Sequence, residues 1–517
     1  MKNSPTRSCL GSPSSLRARG TFSRHRSAIV WISLLICFIA APAALAQSID
    51  MVEATRARLL TSLVTAINSG NAQEIEAWSE SAAEGAEDVA SRSAALAAAA
   101  WAFHREYGRL TLHAELTANA TMYEVWFRSE DTKAWGAIGL LFEQDAPQTV
   151  RGMTTLRGAH PETLELRTLE RDPKRLANSL SSYLDHLEQT DHFSGVVALA
   201  HGDQVIAQRA FGLAERRFEI PNTLETVFDL ASVSKIFVAI AILQLVERGL
   251  IDLDEPIGTY LDDMPEPWRS RTTTNQMLKH TSGIELDDLD EYRSIEYEFA
   301  NANERYTAIV RILSSLAEQG NDLPPHGFDY TNEPFAMMQI MIERLTGVAY
   351  AEYLEERILR PAGMTNTGFA QADRPPKNMA TGYTSVDIRD GRSSLGERRA
   401  NLFWSHRAPH PAKNVSSTAP DMLKLATALR NGTLLRSETL QEMTKSDSSL
   451  DRVWGLGLTL ENVGQLNRSF GHDGGTKGVS TRFRVYPELD LSLVVLSNFD
   501  SVSGHVHEHF EFLLGSE

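Results

Sequence analysis

Cysteine is almost absent from this chain. Only Cys9 and Cys37 occur in 517 residues. Beyond Cys37 no side chain can form a disulfide, act as a thiol nucleophile or supply a thiolate to a metal ion. We therefore expect a fold held by packing and hydrogen bonds, and a site chemistry that does not use cysteine.

Positive charge is also scarce. The chain has 50 Lys and Arg residues against 67 Asp and Glu residues, a formal net charge of −17. Six basic residues and no acidic ones lie in residues 1–46, so the remainder carries −23. Such an acidic protein lacks the basic excess that binds nucleic acid or anionic membrane surfaces. We expect a small-molecule or peptide partner and no nucleic acid; composition leaves the oligomeric state open.

Long apolar runs are missing after the first 46 residues, which differ from the rest. A basic stretch there precedes an apolar run from Ala28 to Ala41 and the segment Ala44-Leu45-Ala46. This order is typical of a secretory signal peptide. We predict a signal at 1–46, cleavage after Ala46 and export. The alternative is an uncleaved membrane anchor, for which the apolar run is short. The expected location is a bacterial periplasm.

Three common active-site motifs are absent from the sequence. There is no Gly-x-Ser-x-Gly, no His-Glu-x-x-His and no Gly-x-x-x-x-Gly-Lys-Ser/Thr. This argues against an α/β-hydrolase, a zinc protease of that type and a phosphate-binding P-loop. His505 and His509 are spaced one helical turn apart but lack a third ligand. We therefore expect a surface helix there, no metal and no organic cofactor.

Two blocks of secondary structure are predicted after the signal. The first, residues 48–158, shows helical periodicity over 51–68 and 90–108. Four strands follow, with the sequences LTLHAEL, MYEVWFRS, WGAIGLLFE and VRGMTTLRG. Helices followed by an antiparallel meander indicate a small α+β domain. Its pattern resembles the nuclear-transport-factor-like cone domains that precede some exported serine hydrolases.

The second block, residues 173–517, begins and ends with strands. A helix over 175–190 leads into a hairpin, GVVALA and VIAQRAFG around the turn HGDQ. The middle, 229–440, is mainly helical, and the strands TRFRVYP and LSLVVLSNF precede a last helix. This arrangement predicts one sheet built from distant parts of the chain. The fold class is α+β, in more than one domain.

Ser232 and Lys235 lie three residues apart, before an apolar run that ends at Gly249. Residues at this spacing share one face of a helix, so the hydroxyl and the amine can meet. The positive end of the helix dipole favours an alkoxide, and a nearby amine can help to deprotonate the serine. The same pattern also fits a serine that caps the helix and a solvated lysine.

Two further elements follow in order, Tyr330 and Asn332 in FDYTN, then His472 in GHDGGTKG. Ser-x-x-Lys, Tyr-x-Asn and a late Lys/His-x-Gly, in this order, resemble the class C β-lactamase and penicillin-binding-protein superfamily. Other stretches are similar to that family from about residue 175 to residue 514: MLKHTSGI, RILRPAGMTNTGF, ATGY, VSSTAPDM, GLGLTL and VYPELDLSLVVLSN.

The resemblance implies a β-lactamase/transpeptidase-like domain, an antiparallel sheet flanked by helices plus an all-helical region. It also implies serine hydrolase chemistry through an acyl-enzyme. The implied roles are catalytic for Ser232, Lys235, Tyr330 and His472, and substrate-binding for Asn332, Gly474 and Gly475.

By this resemblance Ser232 is the nucleophile, Lys235 its partner and Tyr330 the proton relay. Asn332 would hydrogen-bond the substrate, and His472 would donate to a substrate carboxylate or to the tyrosine. The backbone N–H groups of the serine and of Gly475 would form an oxyanion hole.

Two departures from the family bear on the substrate. His472 stands where β-lactamases usually have lysine, and Lys413 and Asn414 stand where the family usually has paired glycines. They favour an ester, amide or D-amino-acid peptide bond, with a true β-lactamase or D,D-carboxypeptidase as the alternative. A non-catalytic penicillin-type sensor or binding protein is the alternative of another class. The acidic run at 285–299 is expected to be a solvated face.

Overall fold

The fold is known from a computed structural model. It describes residues 41–119, 121–146, 148–157, 172–286, 289–320, 327–370, 374–385, 398–402, 409–446, 454–463 and 467–514. Residues 1–40 of the predicted signal peptide lie outside the described residues. Its last residues, 41–46, belong to the first helix. Among the described helices, none combines the length and apolar character that crossing a membrane requires. The chain divides into two units, Met1–Met51 and Val52–Glu517, and the packing below belongs to the second.

Residues 52–157, here called the amino-terminal layer, form helices on an antiparallel sheet. The elements are α1 (Ala41–Ser69), α2 (Ala72–Ala82), α3 (Val89–Tyr107), β1 (Leu110–Ala118), β2 (Met122–Ser129), β3 (Trp135–Phe142) and β4 (Val150–Arg157). The strands pair in sequence order, each antiparallel to the next. They match the predicted meander. Helix α2, which was not predicted, starts at Asn71, whose side chain accepts a hydrogen bond from the Gln73 N–H.

This layer has an apolar core of its own. Leu63 and Ile67 of α1, Trp101 of α3, Phe127 of β2 and Ile138 of β3 are all buried in it. Residues 63 and 67 are four apart and so lie on one helix face, while alternate strand residues point to the helices. Apolar periodicity in the sequence therefore accounts for this core.

Residues 172–514, here called the main layer, contain the remaining elements. The helices are α4 (Pro173–Gln189), α5 (Lys235–Glu247), α6 (Trp268–Arg271), α7 (Thr274–Leu278), α8 (Asp290–Arg293), α9 (Ala302–Glu318), α10 (Glu333–Thr346), α11 (Tyr350–Leu354), α12 (Arg360–Ala362), α13 (Ala419–Arg430), α14 (Ser437–Met443) and α15 (Val502–Leu514). The strands are β5 (Gly195–His201), β6 (Gln204–Phe211), β7 (Leu213–Glu215), β8 (Ile220–Pro221), β9 (Phe228–Asp229), β10 (Gly368–Phe369), β11 (Gly382–Thr384), β12 (Arg399–Asn401), β13 (Val415–Ser417), β14 (Thr459–Val463), β15 (Asn467–Thr476), β16 (Val479–Tyr486) and β17 (Leu491–Ser497).

The main sheet joins strands from both ends of this layer. Its order is β14-β15-β16-β17-β5-β6, and every neighbouring pair is antiparallel. The register places Val494 of β17 opposite Ala198 of β5. The prediction of one sheet built from distant segments is confirmed.

Both faces of this sheet are covered. Val494 and Leu496 point into one core with α5, α10 and α13, whereas Leu493 and Val495 point into another with α4 and α15. A strand that is buried on both faces reads as a continuous apolar run, as LSLVVLS does, because alternate residues enter different cores. The sheet therefore has helices on both sides.

The prediction of a surface helix at the carboxyl end was wrong. His505 and His507 of α15 are buried, and the ring of His509 stacks on Tyr183 with centroids 3.7 Å apart. The physical reason is that α15 lies between the main sheet and the amino-terminal layer, where the His505 ring meets that of Tyr107 at 4.9 Å. The spacing of the histidines in the sequence could not show that the amino-terminal layer also covers this helix.

A cluster of possible metal ligands also involves this helix. Single ligand atoms of Glu461, His507 and Glu511 lie within 4.8 Å of one another. Arg484 is fully buried beside them and donates from Nη2 to Glu461 Oε1 at 2.5 Å. The acidic charge here is therefore balanced by an arginine.

Candidate active site

Ser232 lies on a tight turn immediately before α5. The turn, Ala231–Ser234, is 3-10 helical, and α5 begins at Lys235. In this geometry residues three apart lie almost directly above one another. The Lys235 Nζ atom accordingly donates to Ser232 Oγ at 3.2 Å.

Lys235 is fully buried, so the alternative of a solvated lysine and a simple helix cap is wrong. Its Nζ also donates to Asn332 Oδ1 at 2.8 Å and to the Ala412 carbonyl at 3.5 Å. With Ser232, these acceptors match the three N–H bonds of an ammonium group. The Asn332 oxygen thus accepts a hydrogen bond from the lysine. A hydrogen bond that Asn332 donates to the substrate would come from its Nδ2 group.

The turn that carries Ser232 is held in an unusual backbone conformation. Ala231 has φ +44°, in the region that favours glycine. Its N–H donates to Asp229 Oδ1 at 2.7 Å, and Asn414 donates to the same carboxyl group. Burial raises the pKa of Asp229 to about 7, against these two hydrogen bonds. Asn414 therefore supports the turn that carries Ser232.

The Asp229 contact gives a testable prediction. Asp229→Ala leaves the Ala231 N–H without its acceptor, so we expect the turn to relax and any activity that depends on Ser232 to fall by about a hundredfold. The free energy of unfolding should fall by about 1–3 kcal/mol. Asp229→Asn keeps an acceptor oxygen and imitates the protonated acid, so it should retain most activity. Equal activity in the two variants would contradict this role; steady-state kinetics and thermal unfolding measure it.

The rings of Tyr330 and Phe335 lie beside the buried amine, the second with its centroid 5.5 Å from Lys235 Nζ. The Tyr330 ring centroid lies 4.7 Å from Lys235 Nζ, and its ring stacks on His280 at 4.5 Å. Trp454 packs edge-on against His280 at 4.8 Å and against His472 at 5.5 Å. The buried cation therefore has aromatic rings beside it, and its removal from water strengthens its electrostatic effect on the phenol and the serine.

His280 fixes the position of the Tyr330 loop. Its Nδ1 atom accepts from the Thr331 N–H at 3.2 Å, and its carbonyl accepts from the Asp329 N–H at 2.8 Å. Burial and the charge of Lys235 hold its pKa well below the usual value, so the ring is neutral. Sequence reasoning assigned no role to His280, although MLKHTSGI was one of the family stretches.

His472 is buried and neutral. Burial, followed by the charge of Lys235, lowers its pKa to about 3. Nδ1 lies 2.6 Å from the Asp473 carbonyl oxygen, which can only accept, so Nδ1 carries the proton. Nε2 is then a bare acceptor, and it has no hydrogen-bond partner among the described residues. The predicted donation to a substrate carboxylate or to the tyrosine does not fit this ring.

The glycine pair after His472, Gly474 and Gly475, lies on the part of β15 that extends beyond β14. Strand β14 pairs only with residues 467–471 of β15, so 472–476 continue beyond it. A Cβ at Gly474 would lie 2.2 Å from the Leu230 carbonyl oxygen, whereas a Cβ at Gly475 would meet nothing within 4 Å. Thr481 links β16 to the residue before the serine turn, since its Oγ1 donates to the Leu230 carbonyl at 2.9 Å. Gly474 therefore allows close contact with the serine turn, and Gly475 faces open space.

Lys413, one of the two residues at the position of the paired glycines, forms an ion pair. Its Nζ binds Glu296 Oε2 at 3.2 Å, and both side chains are largely buried. Tyr292 and Phe299, from the same acidic run as Glu296, are buried in the core. The prediction of a solvated face at 285–299 was therefore wrong for these residues, because apolar side chains between the acids anchor the segment.

The fold and the Ser–Lys–Tyr arrangement together define a serine hydrolase of the β-lactamase type. A family model described as Beta-lactamase matches residues 180–515. The chain therefore belongs to the beta-lactamase family, within the serine hydrolase superfamily that includes penicillin-binding proteins and esterases.

Known relatives agree with this assignment. The chain is 27% identical over 332 residues to Penicillin-binding protein 4* of Bacillus subtilis (strain 168), covering 62% of this chain and 71% of that protein. It is 26% identical over 308 residues to Esterase EstB of Burkholderia gladioli, covering 54% of this chain and 76% of that protein. A penicillin binding protein structure from Bacillus halodurans matches with a TM-score of 0.54 and 28% identity, over 63% of this chain and 98% of that one.

Proposed function

We propose that this protein hydrolyses an ester, an amide or a D-amino-acid peptide bond through an acyl-enzyme on Ser232. The observation that carries the proposal is the Lys235 Nζ to Ser232 Oγ contact of 3.2 Å inside a buried aromatic site. Burying a lysine ammonium beside a serine costs free energy of folding, and such buried charged groups are typical of active sites.

In the proposed mechanism the Lys235 ammonium stabilises Tyr330 as a phenolate by charge attraction. The phenolate takes the proton of Ser232 while Oγ forms a bond to the substrate carbonyl carbon. The N–H groups of Ser232 and Gly475 donate hydrogen bonds to the carbonyl oxygen as it becomes negatively charged. Tyr330 then gives its proton to the leaving alcohol or amine, and the bond to that group breaks.

The second half-reaction returns the enzyme to its starting state. Water attacks the acyl carbon and passes a proton to Tyr330, and the bond from the carbon to Ser232 Oγ breaks. The serine regains its proton from the tyrosine, and the carboxylic acid leaves. Asn332 and Ala412 keep Lys235 in place through both steps, because their oxygens hold two of its N–H bonds.

The neutral state of His472 favours substrates other than penicillins. A lysine at this position would offer a positive charge to a substrate carboxylate, whereas the Nε2 atom of His472 offers a lone pair. The group it meets in the substrate is then a donor, such as an amide N–H, an ammonium or a hydroxyl. This supports ester or amide hydrolysis over β-lactam hydrolysis.

The proposal is tested with paired probes on the full chain. We expect a fluorophosphonate to label Ser232, and p-nitrophenyl esters or D-amino-acid amides to be turned over faster than nitrocefin. Rapid nitrocefin turnover would instead indicate a β-lactamase. Labelling by a fluorescent penicillin without turnover of any substrate would indicate a sensor, and no labelling by either probe would contradict the assignment of Ser232.

Export forms part of the same proposal. It is supported by the basic and then apolar order of residues 1–46. Amino-terminal sequencing of protein from the periplasm of an expressing bacterium should show a start at Gln47; protein retained in the cytoplasm with Met1 would contradict it.

A further inference from the structure

The cleft in front of Ser232 is lined by both layers of the protein. It has a volume of about 650 Å³ and is bordered on the main-layer side by Ser232, Tyr330 and Gly475. The opposite side is formed by α3 of the amino-terminal layer, through Ala102, Arg105 and Glu106. A wall of the site therefore comes from outside the part of the chain that matches the family model.

Buried contacts hold α3 at this position. The Tyr183 hydroxyl of α4 donates to the Thr132 carbonyl of the amino-terminal layer at 2.5 Å, and Tyr183 itself is buried. The ring of Tyr107, at the end of α3, packs against His505 of α15 at 4.9 Å. Because a buried tyrosine hydroxyl needs its partner, these contacts define one relative position of the two layers.

Two guanidinium groups, one from each layer, line this cleft. Arg105 lies on α3 with its Cζ 5.1 Å from the Trp101 ring, and Arg398 of the main layer lies 4.2 Å over the Phe499 ring. Burial lowers the pKa of Arg398, and the positive charge of Arg105 lowers it further. Both remain charged at neutral pH. The carboxylates of Asp191 and Asp500 act in the opposite direction and raise the pKa of Arg398. The two guanidinium groups together add positive charge to this part of the cleft.

The carboxylates of the cleft already have strong partners or lie beside these arginines. Asp473 is bound by two arginines of β16 at 2.7 Å each. Asp500 accepts from the N–H groups of Gly478 and Ser385. Glu106 follows Arg105 on α3. His472 is neutral, so the positive charges that line the cleft are those of Arg105, Arg398, Lys477 and Arg482, of which Arg482 is bound to Asp473.

We infer that α3 completes the substrate cleft and that Arg105, together with Arg398, binds an anionic group of the substrate, a carboxylate. This rests on the proposed function, and it adds a substrate class to it. A planar guanidinium forms two parallel hydrogen bonds with a carboxylate, which fixes the position of the anion as well as attracting it. The amino-terminal layer is then part of the specificity of the enzyme.

Matched esters test this inference on the full chain. One pair is mono-p-nitrophenyl glutarate and neutral p-nitrophenyl valerate; a second pair is 3-carboxyphenyl valerate and phenyl valerate, with the charge on the leaving group. For at least one pair, Arg105→Ala should lower kcat/KM for the anionic ester about tenfold and change the neutral ester less than about twofold. Arg105→Lys should recover part of the loss.

Arg92→Ala is the control, because Arg92 lies on the same helix but binds Glu143 at 2.9 Å within its own layer. It should leave the preference between the esters unchanged. Equal effects of Arg105→Ala on both members of both pairs, or no effect, would overturn the inference. If the wild type is labelled at Ser232 and turns over the neutral esters, such a result rejects this inference alone; without labelling, the proposed function itself fails. Thermal unfolding of each variant identifies any that misfolds.

Discussion

Replacing Ser232 by alanine is expected to abolish fluorophosphonate labelling and to lower ester turnover by about ten-thousandfold or more. The loss is large because the residues of such a site act as a unit. Without Oγ, the Lys235 ammonium and the Tyr330 phenol have no nucleophile to activate. Labelling is measured by gel fluorescence and intact mass, and turnover by p-nitrophenol release.

Ser234 provides a control on the same turn. Its Oγ accepts from the Val415 N–H at 3.1 Å and so has a structural contact away from Lys235 Nζ. Ser234→Ala should still be labelled at Ser232, with a free energy of unfolding lower by about 1–3 kcal/mol because that N–H loses its acceptor. Labelling of Ser232→Ala, or its loss only in Ser234→Ala, would contradict the choice of nucleophile.

The second large effect is expected at Gly474. The Cβ of Gly474→Ala would approach the Leu230 carbonyl oxygen to 2.2 Å and the Ala231 Cβ to 3.2 Å. Because these atoms belong to the serine turn, β15 must move away from Ser232. We expect acylation to slow by about a hundredfold and the free energy of unfolding to fall by about 1–3 kcal/mol.

Gly475→Ala is the matched substitution, one residue further along the same strand. Its Cβ meets no atom within 4 Å, so the melting temperature should not change. It projects into the cleft and is expected to affect bulky substrates more than the small fluorophosphonate. If both substitutions lower the melting temperature equally, the cause is an added side chain on β15 and not a clash with the serine turn. That result would contradict the prediction for Gly474.

The elements of the candidate site were predictable because each leaves a local signal. Ser232 and Lys235 lie at helical spacing before an apolar run, and the structure brings their side chains together. The hairpin of β5 and β6 follows from two apolar segments around a two-residue turn at Gly202 and Asp203. Short-range patterns of this kind are read directly from the chain.

Other features depend on long-range packing and could not be predicted in this way. The protonation of His472 is set by its burial and by Lys235, which is more than two hundred residues away in sequence. The role of His280 depends on the ring stacked on it, and the place of Arg105 depends on how α3 meets α15. The nuclear-transport-factor-like resemblance and the domain boundaries at 48–158 and 173–517 stay predictions.

The order of strands in the main sheet has a consequence for synthesis of the protein. Strand β5 leaves the ribosome long before its partner β17 and the strand that carries His472. Pairing across such a separation is slow, because a long loop must close first. The turn with Ser232 therefore waits for its opposite wall until the strand that carries His472 has been made, and the site stays incomplete while the segment between them is synthesised.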